Sequence, residues 1–269
     1  MNRLDYLRTI RGGELTWSRL VEAAANRLRE IPHRIAWETP SPVTRANHAA
    51  LESFRDIHRG KRCFVIANGP SLQRTDLSRL AGEGTIGMNR IYRMGTFMPT
   101  YLVVMDIDTQ LEAIGKELEG VSVPKFLNWN GRRLVRNVPG TVFLKPTYRP
   151  RFSTDLHKGI WGGHSVTYAC LQLAYWMGVR TAILVGKDHD YTRKGVPGSV
   201  VTASDTETNH GIPGYYRAGQ KYRIPDYRGE ELAYRAALTT FSGAGGSILD
   251  ATVGGKLQVF PKVAYESLF

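Results

Sequence analysis

Short apolar runs recur along the chain from about residue 60 onward, and polar or turn-forming residues separate them. Short runs in which nearly every residue is apolar are typical of strands that are buried on both faces of a parallel sheet. The predicted strands are Arg62–Ala67, Thr85–Asn89, Tyr101–Met105, Lys125–Trp129, Thr141–Lys145, Thr181–Val185 and Ser247–Ala251.

Two helices are predicted among these strands, over Ser165–Met177 and Glu230–Ser242, because apolar residues recur there at helical spacing and a glycine follows each segment. The alternation of strands and helices predicts an α/β fold. We therefore expect a Rossmann-like, mostly parallel sheet with helices on both faces. Residues 58–269 are assigned to this domain.

Residues 1–57 are predicted to form a helical extension and a linker. The apolar positions of the helix are Trp17, Leu20, Val21, Ala24, Leu28 and Ile31, and its polar side carries Arg19, Arg27 and Arg29. Pro32 is expected to end the helix, and Pro40 and Pro42 mark the linker. The apolar stripe indicates either a helix packed on the main domain or a contact with a membrane surface or an oligomer.

Polar residues follow four of the predicted strands. The first strand leads into Asn68-Gly69-Pro70-Ser71, the second ends in Asn89, the third leads into Asp106, and a later one into Gly186-Lys187-Asp188. Because parallel sheets bind ligands at the carboxyl ends of their strands, these groups predict one nucleotide-binding face.

The spacing of Asp106 and Asp108 is compatible with a Mg²⁺ or Mn²⁺ site, which would matter if the donor were a diphosphate or triphosphate. Otherwise no cofactor is expected. His210 lies in a loop rich in glycine and proline, where an imidazole can act as a general base or have no catalytic task. His164 and His189 are treated as residues that close a helix or strand end. Residues 254–263 are expected to form a closing turn and an edge strand.

The formal net charge of +12 indicates attraction to anions. The basic residues are dispersed, so no specific nucleic-acid partner is expected, whereas loose contact with an anionic membrane face or glycan remains open. Cys63 and Cys170 lie in apolar contexts and are interpreted as reduced core residues. Together with the absence of an apolar leader or membrane-spanning run, they predict a cytoplasmic protein, peripheral at the inner membrane face if it binds there. A homo-oligomer is an open alternative.

Several motifs are similar to those of known bacterial families. Residues 67–72 (Ala-Asn-Gly-Pro-Ser-Leu), 88–92 (Met-Asn-Arg-Ile-Tyr) and 183–188 (Ile-Leu-Val-Gly-Lys-Asp) resemble CMP-sialic acid-dependent sialyltransferases. Together with residues 246–260, they are also similar to the family named after archaeal 6-hydroxymethylpterin diphosphokinase, which includes the central domain of motility accessory factors. The resemblance covers roughly residues 61–269.

The resemblance to sialyltransferases implies a glycosyltransferase that moves a sialic-acid-like sugar from a CMP-linked donor to a glycan or protein hydroxyl. It implies that Asn68, Gly69, Ser71 and Asn89 contact the donor and that His210 is the base. The family's tyrosines that hold the leaving phosphate correspond approximately to Tyr191, one residue out of register, with Tyr215 or Tyr216 as substitutes. Residues 58–269 are accordingly expected to be a nucleotide- or nucleotide-sugar-binding catalytic domain. Its expected nucleotide-binding set also contains Pro70, Asp106, Ser165, Gly186 and Asp188.

Two other functions fit the same motifs. The first is an ATP- and Mg-dependent diphosphokinase acting on a hydroxymethyl pterin, for which Asp106 and Asp108 would be more important than His210. The second is a non-catalytic protein that binds a nucleotide or a glycan, since fold alone does not establish catalysis.

Overall fold

A computed structural model describes residues 17–191, 195–204 and 208–269 of the chain. The seven strands predicted between residues 62 and 251 are all present, mostly one residue shorter at the carboxyl end, and the described residues contain four further short strands. The strands are β1 Arg62–Ile66, β2 Thr85–Met88, β3 Tyr101–Val104, β4 Lys125–Asn128, β5 Thr141–Leu144, β6 Pro146–Thr147, β7 Ile160–Trp161, β8 Thr181–Val185, β9 Val200–Thr202, β10 Lys221–Arg223 and β11 Ser247–Asp250.

The seven predicted strands form one parallel sheet in the order β11-β8-β1-β2-β3-β4-β5. The predicted α/β, Rossmann-like fold with a parallel sheet is therefore confirmed. From β1 the chain builds outward to β5 and then returns to place β8 on the other side of β1. This reversal is a topological switch point, where open α/β sheets leave a crevice at the carboxyl ends of their strands.

The α-helices are α1 Trp17–Glu38, α2 Pro42–Glu52, the single turn α3 Glu112–Ile114, α4 Val166–Trp176 and α5 Tyr227–Gly243. Ser165 caps α4 by accepting a hydrogen bond from the backbone N–H of Thr167. Asp226 caps α5 by accepting one from the backbone N–H of Gly229. Helix α5 therefore begins three residues before the predicted start at Glu230, because the capping aspartate precedes the apolar periodicity.

The two faces of the sheet are covered differently. Helices α2, α4 and α5 pack on the face that carries Cys63 and Val65. The opposite face, which carries Phe64 and Ile66, is covered mainly by short 3₁₀ turns, α3 and the carboxyl-terminal segment. Long helices lie on only one face, since the described connections between β1 and β5 form only short helical segments and turns.

The prediction that the first helix ends at Pro32 is wrong, because α1 continues through Pro32 to Glu38 and α2 begins at Pro42. The last turns of α1 are held by tertiary contacts: Trp37 is buried, and Trp129 Nε1 donates a hydrogen bond to the carbonyl oxygen of His33. Residues 1–16 and the side chains of Arg19 and Leu20 lie outside the described residues. The division of the chain at residue 57 stays a prediction.

Helix α2 covers the free edge of β5. The Asn47 side chain donates to the carbonyl oxygen of Phe143 at 3.1 Å and accepts from its N–H at 2.7 Å. One side-chain amide thus occupies backbone groups that would otherwise lie open on an edge strand. Helix α2 is therefore packed on the edge of the sheet.

The carboxyl-terminal segment does not form the expected edge strand. Within the described residues, it makes one isolated bridge between Asp250 and Lys262, and the Lys262 ammonium lies 2.6 Å from the Asp250 carboxylate. Cys63 and Cys170 are buried free thiols, as expected from their apolar contexts, and burial raises the pKa of Cys63 to about 12. Across the described residues, no helix combines the length and the apolar character that crossing a bilayer requires.

Candidate functional site

A cavity of about 200 Å³ opens at the switch point between the carboxyl ends of β1 and β8. We call it the β1–β8 cleft. Segments distant in sequence meet there: the exits of β1, β2 and β8, the amino terminus of α4 and the loop that contains His210. Its polar and charged lining residues include Asn68, Asn89, His164, Ser165, Lys187, Asp188, His189, Asp190, Tyr191, Asn209, His210, Tyr215, Arg223 and Glu230.

Gly69 permits a close backbone approach at the floor of the cleft. Its N–H donates to the carbonyl oxygen of Gly186 at 2.9 Å, which joins the exits of β1 and β8. A Cβ atom at position 69 would lie 1.7 Å from Asp188 Oδ2 and 2.6 Å from the Gly186 oxygen. Because no side chain fits this position, glycine is required for the geometry of the loop.

Asp188 holds the loop that follows β1. Its Oδ1 accepts from the backbone N–H of Ser71 at 3.1 Å, and its Oδ2 accepts from the Ser71 hydroxyl at 2.8 Å. Ser71 is completely buried. Neither Ser71 nor the neighbouring Pro70 lines the cleft, so the structure gives both a position behind the cavity wall.

Two residues that line the cleft, Asn68 and Asn89, have buried side-chain oxygens without a hydrogen-bond partner among the described residues. Asn68 Nδ2 donates to the carbonyl oxygen of Met88 at 3.0 Å, which fixes the orientation of that amide. The Oδ1 atoms of Asn68 and Asn89 are buried and have no hydrogen-bond partner within the described part of the chain. Since buried acceptors are normally satisfied, these two oxygens indicate a place for a ligand donor or a bound water molecule.

The backbone around the cleft contains unusual conformations. Asn89, His164 and His189 have φ angles of 51°, 64° and 57°, in the left-handed region that residues with a side chain rarely adopt. All three line the cleft. Such conformations are maintained only when the surrounding structure enforces them, and they concentrate at functional sites.

His210 and two tyrosines form a cluster at one side of the cleft. The Tyr191 hydroxyl lies 2.8 Å from His210 Nε2. The imidazole stacks on the Tyr215 ring, with centroids 3.7 Å apart and the ring planes 3° from parallel. Tyr216 packs edge-on against the same imidazole. His210 is therefore oriented by its neighbours and is half-buried.

Arg90 anchors the loop that presents this cluster. Its guanidinium, which is 1% exposed, donates to the Tyr215 carbonyl oxygen and, at 3.0 and 3.2 Å, to the side-chain oxygens of Gln110 and Gln220. The same group lies over the rings of Tyr215 and Tyr216. A buried arginine thus connects the exit of β2 to the loop of His210.

A buried ion pair supports the opposite wall. Lys187 Nζ lies 2.7 Å from Glu230 Oε2, and the two side chains are 13% and 5% exposed. Burial opposes ionisation of both groups, but their mutual attraction outweighs it, so the pKa of Lys187 is raised and that of Glu230 is lowered. Sequence reasoning missed this pair, because the two residues belong to separate elements 43 positions apart.

The predicted acidic pair is not assembled as a metal site. Asp106 Oδ1 accepts from the backbone N–H of Thr109 at 2.9 Å, so this carboxylate caps its own turn. Asp108 is exposed, and its Oδ2 lies 3.7 Å from the guanidinium of Arg223. Neither aspartate lines the cleft, and within residues 17–191, 195–204 and 208–269 no cluster of three or more metal-ligating side chains is found.

The structure brings most of the predicted site residues together. Those that line the cleft are Asn68, Gly69, Asn89, Ser165, Gly186, Asp188, Tyr191, His210 and Tyr215, whereas Pro70, Ser71 and Asp106 lie outside its lining. Sequence reasoning overlooked Asn209, Arg223 and Glu230, which carry no strand-exit or motif signal. Asp226 could have been recognised as a helix cap, and it holds His164 with an Nδ1–Oδ2 distance of 3.3 Å.

No family model matches this chain, and no curated protein or solved structure matches it. The likeness to sialyltransferases therefore stays an expectation from the motifs around Asn68 and Asp188.

Proposed function

We propose that this protein is a glycosyltransferase that moves a sialic-acid-like sugar from a CMP-linked donor to a hydroxyl of a glycan or protein. The observation that carries the proposal is the His210–Tyr191 pair, 2.8 Å apart, beside a switch-point cleft. A histidine held in this way is suited to general-base catalysis, and the cleft lies where α/β sheets bind nucleotides.

The donor enters the cleft over the exits of β1 and β2. The unpaired oxygens of Asn68 and Asn89 accept hydrogen bonds, so they bind donor groups such as ribose hydroxyls or the cytosine amino group. They do not bind phosphate oxygens, which are themselves acceptors. The phosphate is held by Arg223 at the rim of the cleft, while the Tyr191 hydroxyl, 2.8 Å from His210 Nε2, orients the base.

The reaction is a substitution at the anomeric carbon. The bond from this carbon to the phosphate oxygen of CMP breaks, and a bond to the acceptor oxygen forms. The acceptor hydroxyl gives its proton to His210, and the CMP phosphate leaves with the electron pair of the broken bond. Arg223 stabilises the charge that develops on the leaving phosphate.

A nucleotide screen by thermal unfolding tests donor recognition. CMP at about 100 times its Kd is expected to raise the melting temperature by roughly 5 °C or more without added metal, whereas UDP, GDP and ATP give smaller shifts. Stabilisation by ATP only in the presence of Mg²⁺ would instead favour the diphosphokinase. CMP binding without transfer to any hydroxyl acceptor would favour a binding protein.

Asn89→Gly is the matching variant, because glycine adopts the positive φ of 51° while the amide is lost. The shift produced by CMP is expected to fall. Asp56→Gly is its control: Asp56 has a φ of 58° but does not line the cleft. Equal CMP shifts in the two variants would contradict the assignment of Asn89 to the donor site.

A further inference from the structure

Helix α1 presents its apolar side to solvent. Its exposed apolar residues, which we call the outer stripe, are Trp17, Val21, Ala24, Leu28, Ile31 and Ile35. They are spaced alternately four and three residues apart and fall within an arc of about 80° around the helix axis. Trp17, Leu28 and Ile35 are 80%, 66% and 55% exposed. An apolar stripe of this kind normally faces a protein core, so its exposure here indicates a binding surface.

The orientation of α1 is fixed by its opposite side. His33 accepts a hydrogen bond from Trp129 Nε1 at 2.9 Å, and Glu30 accepts one from Asn130 Nδ2 at 2.7 Å. Trp37 is inserted into the core and is only 3% exposed. Because these contacts define the inner side of the helix, the outer stripe points away from Trp129 and the core, and three of its members, Ala24, Leu28 and Ile31, also line the groove described next.

A basic groove lies beside the outer stripe, between α1 and the segment that follows β5. It encloses about 760 Å³ and is lined by two acidic residues, Glu30 and Glu38, and by six basic ones. The basic residues are Arg27, Arg34, Lys145, Arg149, Arg151 and Lys158. Even with both glutamates ionised, the positive charge dominates, so the groove favours an anionic occupant.

A second copy of the chain fits the outer stripe poorly. The spacing of the stripe matches the a and d positions of a coiled coil, which places Arg27 and Arg34 at g positions and Ala25 and Pro32 at e positions. A parallel partner offers no acidic e residue to these arginines, and an antiparallel partner sets arginine against arginine. The net charge of +12 adds further repulsion between copies.

We propose that the outer stripe and the basic groove dock this protein on an anionic lipid bilayer. The apolar side chains of α1 enter the boundary between headgroups and acyl chains, and the groove takes lipid phosphates. Lys145 of the groove directly follows β5, so the docking surface lies on the carboxyl edge of the sheet, which also holds the β1–β8 cleft.

Sedimentation of the full chain with vesicles tests this inference. The protein is expected to pellet with vesicles of equal parts phosphatidylcholine and phosphatidylglycerol but to stay in the supernatant with phosphatidylcholine alone. Binding should decline when ionic strength rises from about 0.1 M to about 1 M, because the screening length falls from about 10 Å to about 3 Å.

Matched variants separate this surface from others. Val21→Ser in the outer stripe is expected to lower the partition coefficient at least about tenfold. Val43→Ser on α2 should leave it unchanged, although Val43 is 63% exposed and Val21 only 52%. Arg149→Gln in the groove should lower the partition coefficient about fivefold. Arg235→Gln on α5 should leave the partition coefficient unchanged. All four positions are exposed, so unfolding curves should coincide with that of the wild type.

The inference is overturned if the protein ignores anionic vesicles, or if the two valine variants bind equally well. A concentration-dependent dimer in analytical ultracentrifugation that Val21→Ser dissolves would also overturn it, by assigning the outer stripe to a second copy. Each outcome is independent of the nucleotide bound in the cleft.

Discussion

The carboxylate of Asp188 accepts two hydrogen bonds from Ser71, one from the backbone N–H at 3.1 Å and one from the hydroxyl at 2.8 Å. Ser71 follows β1 and Asp188 follows β8, so this contact fixes the relative position of the two strand exits that form the cleft. The conspicuous Asn-Gly-Pro-Ser segment therefore has two roles. Asn68 and Gly69 line the cavity, and Ser71 anchors the segment from behind.

Asp188→Ala is expected to destabilise the protein by about 2 kcal/mol, because two hydrogen bonds to a charged group are lost and the buried Ser71 hydroxyl has no replacement acceptor. CMP binding should weaken in parallel, since the loop of Asn68 is released. Chemical denaturation and nucleotide titration measure the two effects. Ser71→Ala removes only one of the bonds and should give a smaller loss. A larger effect for Ser71→Ala would contradict this role of Asp188.

Gly69→Ala is expected to lower the free energy of unfolding by about 1–3 kcal/mol and to abolish nucleotide binding. The reason is that the new methyl group would lie 1.7 Å from the Asp188 carboxylate. Gly120→Ala is the control, since a Cβ atom there meets nothing within 4 Å. Thermal unfolding of both variants decides the point. If Gly69→Ala unfolds and binds nucleotide like the wild type, the loop has space for a Cβ atom at position 69, which would contradict this geometry.

Glu230→Gln is expected to destabilise the protein by about 3 kcal/mol at neutral pH, because it leaves the Lys187 ammonium buried without its counter-charge. Glu266→Gln is the control: Glu266 pairs with Arg79 at 2.6 Å, but the side chain is 66% exposed, so little stability should be lost. Denaturant unfolding of both variants provides the comparison. Equal losses of unfolding free energy in the two variants would contradict the expectation that a buried ion pair contributes more to stability than an exposed one.

The pH dependence of the same pair has a defined sign. The pKa of Glu230 is lowered in the folded state, so its contribution is fully present above the unfolded value of 4.5 and is lost as pH falls through the folded value. The pKa of Lys187 is raised, so its contribution is present below 10.5 and is lost as pH rises through its folded value. The stability gap between wild type and Glu230→Gln should therefore narrow at acid pH and stay wide near neutrality.

The sheet could be predicted because its strands are short apolar runs that end in polar residues. This local pattern is typical of strands that are buried on both faces of a sheet. The position of the cleft followed from the same pattern, since Asn68, Asn89 and Asp188 each stand at a strand exit. Helix α1 was misjudged at Pro32 because its continuation depends on Trp129, a residue about 100 positions away that no local pattern connects to it.

The contacts between charged and aromatic side chains of the site could not be predicted from the sequence. Pairing of Lys187 with Glu230 and burial of Arg90 against the loop of Tyr215 both depend on contacts between distant segments. Asp106 and Asp108 resembled a metal motif, but one caps a turn and the other faces Arg223. Local spacing predicted the elements, whereas tertiary packing determined which polar groups meet.

The central claim is that His210 accepts the proton of the acceptor hydroxyl. His58 provides the matched control, because its Nε2 lies 2.9 Å from the Tyr101 hydroxyl, in a second histidine–tyrosine pair that does not line the cleft. The direct measurement is the rate of sugar transfer from CMP-linked sialic acid to a lactoside acceptor by the wild type, His210→Asn and His58→Asn.

This role of His210 predicts that His210→Asn lowers kcat by about 10²–10⁴-fold while the thermal shift with CMP is retained, and that His58→Asn transfers at the wild-type rate. Transfer by His210→Asn at the wild-type rate, with CMP still bound, would contradict it.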